Sequence, residues 1–303
     1  MLTRDVLLHL SRQAWLRRWF ETSQSAKKIT RRFVAGETLD EELDVCAALK
    51  QEGLLSSLDH LGENVNSIEE AAASRDAYLE ALDRIAARGL DSTISLKLTQ
   101  MGLDVSEDAC LDNVRMLVQK ARPAGTHIEI DMESTAYTDR TLKVVERLAG
   151  ECGCIRAVIQ AYLFRSEADV NRMNELGIPV RLCKGAYREP HSAAFADKRD
   201  VDRNYLKLMK TLLDRGVYPA IATHDEAMQN EAQRYRRERG IGADKFEFQM
   251  LYGVRRDLQK RLAGEGYRVR VYIPYGTAWY PYFMRRLAER PANVMFLLRN
   301  YFK

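Results

Sequence analysis

The feature that most constrains the fold is a regular alternation of short β-branched runs with longer amphipathic runs, beginning near residue 92. Eight runs are typical of strands: 92–98, 127–132, 155–161, 180–184, 219–224, 245–251, 268–273 and 293–298. The charged stretches between them, such as Glu107–Ala121, have the periodicity of amphipathic helices. Strand and helix repeated eight times predict an α/β fold, a closed parallel (β/α)8 TIM barrel with an outer ring of helices.

Residues 1–88 differ from the rest of the chain because they carry helical signals and no chemical motif. Thr38 and Ser67 are each followed three residues later by a glutamate, as at a helix N-terminus. We therefore expect an N-terminal helical arm over 1–88 and a catalytic barrel over 89–303. An open doubly wound sheet is the alternative, but no predicted strand is followed by G-x-G-x-x-G or a P-loop.

Composition limits the class of protein. No uninterrupted apolar run approaches the ~20 residues of a membrane span, so we expect a soluble or peripheral protein, in the cytoplasm. Five cysteines, an odd number, do not indicate a disulfide framework. Cys152 and Cys154 lack matching partners, and His224 lacks a second histidine at ligand spacing, so we expect no metal. A net charge of +4 is slight for 303 residues and says little about partners.

Two basic stretches leave questions about surfaces. The amphipathic stretch around residues 7–20 contains Trp15 and Trp19 among arginines. It either lies on an anionic membrane surface or packs on the protein body, and the sequence leaves both open. The basic run 234–240 would suit nucleic acid, but Glu238 interrupts it and aromatic residues are scarce there. We therefore expect no nucleic-acid binding.

Polar residues alternate with apolar ones along several predicted strands. By the two-residue period, Lys97, Asp131, Gln160, Arg181 and Tyr272 face the barrel axis near the carboxyl ends of the strands. Barrel enzymes build their active sites at that end. A buried charge costs several kcal/mol unless it is paired, so we expect an ion pair between Lys97 and Asp131. The pocket suits a polar, partly anionic ligand.

The last helix predicted before Pro291 carries a polar stripe. Tyr282, Arg285, Arg286 and Glu289 recur at i, i+3, i+4 and i+7 and therefore share one face. Two adjacent guanidiniums can hold a carboxylate through paired hydrogen bonds. The alternative is a solvated face with an ion pair between Arg285 and Glu289.

Several motifs follow one another in order on successive predicted strands. After Lys97 and Asp131 come R-L-C-K-G-A-Y, A-T-H-D, F-E-F-Q-M-L-Y-G and the arginine helix. In this combination the chain resembles the proline dehydrogenase family over about 92–300, and is most similar to its short monofunctional bacterial members. The resemblance implies a distorted (β/α)8 barrel that holds FAD without a covalent bond.

The resemblance also implies an activity, partners and a location. The enzyme would oxidise L-proline to 1-pyrroline-5-carboxylate, the first step of proline catabolism, with hydride passing from substrate C5 to flavin N5. Electrons would pass to a membrane quinone, and contact with 1-pyrroline-5-carboxylate dehydrogenase would be transient. The protein would be cytoplasmic, with peripheral association at the inner face of the membrane.

Individual roles follow from the same resemblance. Lys97, Asp131 and Arg181 would be the catalytic residues, with Arg181 beside flavin N5. The substrate-binding set would be Lys97, Leu251, Tyr272, Tyr282, Arg285 and Arg286. The cofactor-binding set would be Met132, Gln160, Arg181, Lys184, Gly185, Ala186, Thr223, His224 and Glu289. A rival interpretation makes Lys97 a Schiff-base nucleophile in an aldolase-like barrel.

Overall fold

The chain folds into a closed barrel of eight parallel strands, each strand hydrogen-bonded to the next and the eighth to the first. The computed structural model describes Arg18 and residues 30–289, with only the backbone at 287–289. The strands are β1 Leu55–His60, β2 Ser92–Leu96, β3 Ile128–Ile130, β4 Ile155–Gln160, β5 Val180–Cys183, β6 Ala220–Ala222, β7 Glu247–Leu251 and β8 Arg268–Tyr275. The predicted (β/α)8 fold is confirmed.

Helices follow the strands around the outside of the barrel. In the described part of the chain they are α1 Leu39–Gln51, α2 Ile68–Ala87, α3 Glu107–Ala121, α4 Thr135–Cys152, α5 Ser166–Glu175, α6 Lys198–Arg215, α7 Glu226–Glu238, α8 Arg256–Gly264 and α9 Trp279–Glu289. Two predicted caps are present: Thr38 forms a capping box with Glu41 before α1, and the Ser67 hydroxyl accepts from the Glu70 amide before α2.

The first strand of the barrel was not predicted from the sequence. β1 lies inside the segment 1–88, so the prediction that this segment is entirely helical is wrong at residues 55–60. β1 joins β2 to β8 and closes the barrel. Its L-S-S-L-D-H sequence has no β-branched residue, and its serines form hydrogen bonds across the sheet, where the Ser57 and Ser95 hydroxyls lie 3.1 Å apart. The strand predicted at 293–298 lies outside the described residues.

The apolar side chains of the strands pack outward against the helices, as the two-residue period predicts. Ile94, Leu96, Ile128 and Ile130 are fully buried in this layer. A second, smaller apolar cluster joins the segment before α1 to α9 through Phe33. Polar side chains are thereby left to fill the interior of the barrel.

The barrel interior near the amino ends of the strands contains a network of buried charges. Arg156, whose side chain is 1% exposed, donates from Nη1 to Glu129 and to Glu247, each at 2.9 Å. Arg270 donates to the same Glu247 carboxylate at 2.9 Å. Burial acts to raise the pKa of Glu247, but Arg270 and Arg156 outweigh it and hold the pKa below the ordinary value. The interior is therefore filled by paired ions as well as by packing.

Within residues 30–289, no helix has both the length and the apolar composition that a membrane span requires. The basic aromatic stretch around residues 7–20 lies outside the described residues, apart from Arg18, so its position on the molecule stays a prediction.

Candidate active site

The site is centred on the ammonium group of Lys97, which directly follows β2. Its Nζ lies 3.3 Å from Asp131 Oδ2 at the end of β3 and 3.5 Å from Asp59 Oδ1 on β1. A third carboxylate, Glu63 in the loop after β1, lies 3.9 Å away. The predicted ion pair of Lys97 with Asp131 is present. Adjacent parallel strands bring these side chains together because their carboxyl ends meet at one rim.

Burial and ion pairing act in opposite directions on the pKa values of Lys97 and Asp131. Burial acts to lower the pKa of Lys97, but Asp59, Asp131 and Glu63 together raise it above the ordinary value. Burial raises the pKa of Asp131 to about 6, and the Lys97 charge opposes that rise. At neutral pH Lys97 is therefore a cation and Asp131 is mostly ionised.

Asp131 also joins two further strands to the cluster. Arg181 on β5 donates from Nη1 to Asp131 Oδ1 at 2.7 Å, and the Tyr272 hydroxyl on β8 donates to Oδ2 at 2.7 Å. The Arg181 guanidinium also lies over the Tyr272 ring, 5.3 Å from its centre. Arg181 pairs on its other side with Glu129. One carboxylate therefore fixes the orientation of three functional groups.

Helix α9 carries the predicted arginine pair to the same end of the barrel. Arg285 Nη2 lies 3.1 Å from Glu63 Oε1, so Glu63 lies between Lys97 and Arg285. The Arg286 guanidinium lies 5.3 Å from the centre of the buried Tyr282 ring. Arg285 of the arginine stripe therefore faces the site. The side chain of Glu289 is outside the described residues.

Residues predicted for the cofactor gather at the carboxyl ends of β3, β4 and β5. The Gln160 side-chain amide donates to the Glu133 carbonyl at 2.9 Å, and its oxygen accepts from the Ala186 amide at 3.3 Å. Gly185 has φ +127°, and a Cβ there would lie 2.3 Å from the Tyr162 ring. Met132 is buried directly after β3.

The turns after β5, β6 and β7 are held to one another. Lys184 Nζ pairs with Asp202 at 2.6 Å and with Asp225 at 2.9 Å. The Thr223 hydroxyl accepts from the Asp225 amide at 3.1 Å. His224 Nε2 accepts from the Leu251 amide at 2.8 Å, which places the ring proton of a neutral His224 on Nδ1. These contacts place the predicted flavin residues beside the predicted substrate residue Leu251.

Four residues at the site were missed by the sequence analysis: Asp59, Glu63, Glu129 and Tyr187. Asp59 lies on the overlooked strand β1 and Glu63 in the loop after it; the alternation of Ser57 and Asp59 with Leu58 was the available signal. Burial raises the pKa of Tyr187, and the charges of Lys97 and Glu63 act on its hydroxyl. Tyr187 completes R-L-C-K-G-A-Y and lies near the same cluster.

The chain is similar to several known proteins. A family model described as proline dehydrogenase matches residues 43–299. Proline dehydrogenase 1 of Bacillus subtilis (strain 168) is 41% identical over 302 residues, covering 100% of both chains. Proline dehydrogenase of Deinococcus radiodurans is 41% identical over 285 residues and covers 92% of each chain.

A longer protein shares the fold. The crystal structure of proline utilization A (PutA) from Bdellovibrio bacteriovorus, inactivated by N-propargylglycine, matches with a TM-score of 0.81 and 27% identity. The match covers 87% of this chain and 33% of that one.

Proposed function

Since the chain belongs to the proline dehydrogenase family and is an enzyme of proline oxidation, we propose that it is FAD-dependent and converts L-proline to 1-pyrroline-5-carboxylate. Three parts of the site support this proposal: a place for the substrate carboxylate, a set of fixed charges beside the reacting ring, and a row of residues suited to a flavin.

The observation that carries the proposal is the position of Glu63. Its carboxylate lies 3.1 Å from Arg285 and 3.9 Å from Lys97, so two cations from different elements already converge on one carboxylate. A proline carboxylate has the same chemistry and would take the place of Glu63 between them, with Arg286 adjacent on the same helix. Charged clamps of this kind orient a small ring for reaction.

The protonation states favour an electrostatic role for Lys97. Its raised pKa keeps the ammonium charged at neutral pH, whereas a Schiff-base lysine must be deprotonated to attack. The aldolase-like alternative is therefore disfavoured. Asp131 is engaged by Lys97, Arg181 and Tyr272, so we assign it the positioning of these groups rather than proton abstraction.

The residues at the ends of β4, β5 and β6 fit a flavin. Arg181 Nε is buried and has no hydrogen-bond partner among the described residues. Its N–H is therefore available as a donor to a bound flavin. Gly185 lets the turn after β5 pack against the Tyr162 ring, and Gln160, Lys184, Thr223 and His224 supply polar groups at the same end of the barrel. FAD, when bound, would accept the hydride that leaves the proline ring.

We extend the proposal to the partners that the family resemblance implies. Electrons would pass to a membrane quinone, and the product would pass to 1-pyrroline-5-carboxylate dehydrogenase through transient contact. The protein would be cytoplasmic and would associate peripherally with the inner face of the membrane.

The visible spectrum of the purified protein tests the central proposal. We expect flavin absorption bands that bleach when L-proline is added without oxygen. Pyrrolidine, which has the ring but no carboxylate, should bleach the bands far more slowly. A colourless protein, or bands that pyrrolidine bleaches equally well, would overturn the assignment of the cofactor or of the carboxylate clamp respectively.

A further inference from the structure

A second cleft lies between the segment before α1 and the turn that leads from β7 into α8. Its volume is about 620 Å³. Four arginines line it, two from each wall, and we name it the arginine cleft: Arg31, Arg32, Arg255 and Arg256. None of the residues assigned above to the flavin or to proline lines this cleft. It is therefore separate from the active site.

Arginines outnumber carboxylates in the lining of the arginine cleft. Asp257 supplies the one carboxylate among the described residues that line it, and it accepts from Nε and Nη2 of Arg255. Carboxylates outside the lining also pair with arginines of the cleft: Glu41 with Arg31, Glu226 with Arg255 and Glu52 with Arg256. A guanidinium has five N–H donors, and the pairs that Arg31 and Arg256 form within the described residues each use one of them, on Nη2. Donors therefore remain for an anion in the cleft.

The backbone at the base of the cleft is closely packed. Gly253 has φ +72°, and a Cβ at that position would lie 1.7 Å from the carbonyl oxygen of Arg32. Only glycine lets the two walls approach so closely. Arg255 has φ +51°, a left-handed conformation that is strained for a residue with a Cβ. The strained turn places Arg255 and Arg256 side by side on one wall.

The local backbone adds to the positive charge. Helix α8, nine residues long, begins at Arg256, and the preceding residue forms no side-chain cap. The amino end of a helix carries a partial positive charge and backbone N–H donors. In many (β/α)8 barrels the loops after strands 7 and 8 and a helix N-terminus bind phosphate. The arginine cleft lies after β7, at the corresponding end of this barrel.

We propose that the arginine cleft binds a phosphate group. Arginine pairs match the geometry of phosphate oxygens, and four arginines on two walls suit a phosphate monoester, diester or diphosphate. The group could come from a soluble phosphorylated molecule or from the head group of an anionic lipid, since both present the same oxygens.

Two binding measurements on the full-length protein test the proposal. Calorimetric titration with inorganic pyrophosphate tests the soluble source. Co-sedimentation with phosphatidylglycerol vesicles, compared with phosphatidylcholine vesicles, tests the lipid source. The double variant Arg255→Gln/Arg256→Gln neutralises one wall, and Arg31→Gln/Arg32→Gln neutralises the other. The control Arg199→Gln/Arg203→Gln removes two highly exposed, ion-paired arginines from α6.

We expect the wild type to bind one or both probes. Each cleft variant should bind that probe at least ~10-fold more weakly, while the control variant binds it like the wild type. The two cleft variants change different walls, so a folding defect in one leaves the other to decide. Equal loss in the control would show non-specific charge attraction and overturn the proposal, as would binding of neither probe by the wild type. Proline takes no part in either measurement, so the results of both measurements are independent of the proposed activity.

Discussion

At the scale of single residues, Asp131 and Lys97 show how burial and pairing compete. The Asp131 pKa of about 6 lies above the ~3.9 of an unfolded chain, so the folded protein holds this proton more tightly. Asp131 therefore costs stability as pH rises between about 4 and 6, and the cost is complete above that range. The same ionisation provides the anion that orients Lys97, Arg181 and Tyr272.

The clamp role of Arg285 predicts a change in substrate binding. We expect Arg285→Met to raise the KM for proline ~10- to 100-fold, because a hydrogen bond to a charged group contributes ~1.5–3 kcal/mol. Steady-state kinetics and flavin content would be measured together. Arg234→Met, which removes a surface arginine paired on α7, is the control. A normal KM with lost flavin would contradict the assignment.

Ionisation of Asp131 predicts the acid side of the pH profile. Activity depends on the carboxylate, so kcat/KM should rise as pH increases through about 6. Tyr272→Phe removes a donor that stabilises this carboxylate, so the rise should move to higher pH. The move should be at most about one pH unit, because a neutral hydrogen bond contributes ~0.5–1.5 kcal/mol. An unchanged midpoint in the variant would assign the profile to another group.

At the scale of elements, each strand supplies apolar residues to the helices and polar residues to the interior. Glu129 on β3 is contacted by Arg156 on β4, Arg181 on β5 and Gln249 on β7. The network therefore ties together strands that are not neighbours in the sheet. The network also holds Arg181 in place at the active site, since Arg181 contacts both Glu129 and Asp131.

Loss of Arg156 should destabilise the barrel strongly. We expect Arg156→Met to lower the free energy of unfolding by ~3 kcal/mol, because Glu129 and Glu247 would lose a buried partner. Arg172→Met removes an exposed arginine paired with Glu146 and should cost at most ~1 kcal/mol. Urea unfolding of both variants measures the difference, and equal losses would refute the role of burial.

At the scale of the whole molecule, the segment before α1 connects the barrel to helix α9. The Ala35 amide donates to the Pro274 carbonyl at 2.9 Å, and the Gly276 amide donates to the Gly36 carbonyl at 3.0 Å. Phe33 packs on Phe283 of α9, with ring centres 6.2 Å apart. The position of Arg285 and Arg286 therefore depends on residues about 250 positions earlier in the chain.

This connection predicts an effect of Phe33 on substrate binding. Phe33→Ala should cost ~3 kcal/mol of stability and raise the KM for proline, by up to ~10-fold, as α9 loses its support. Phe246→Ala is a matched control, since Phe246 is equally buried but packs on Phe248 and Tyr267, away from α9. If both variants raise KM alike, general loosening rather than α9 is responsible.

Features that depend on neighbours along the chain were predictable from the amino-acid sequence alone. Periods of 2 and 3.6 residues identified seven of the barrel strands and the helices that follow them, and side-chain spacing identified the caps at Thr38 and Ser67. The pairing of Lys97 with Asp131 was also predictable, because consecutive parallel strands end at the same rim. The family motifs named the predicted site residues, whose roles stay predictions.

The distant residues that complete the site were not predictable in this way, because their contacts form only when the barrel closes. β1 has weak strand propensity and forms because β2 and β8 pair with it on both sides, and this closure brings Asp59 to Lys97. Glu63 meets Arg285 across 222 positions, a contact that no local pattern encodes. The arginine stripe is a pattern on one helix until the barrel closes. Closure sets the distances from Arg285 to Glu63 and from Glu63 to Lys97, and so joins the helix to the site.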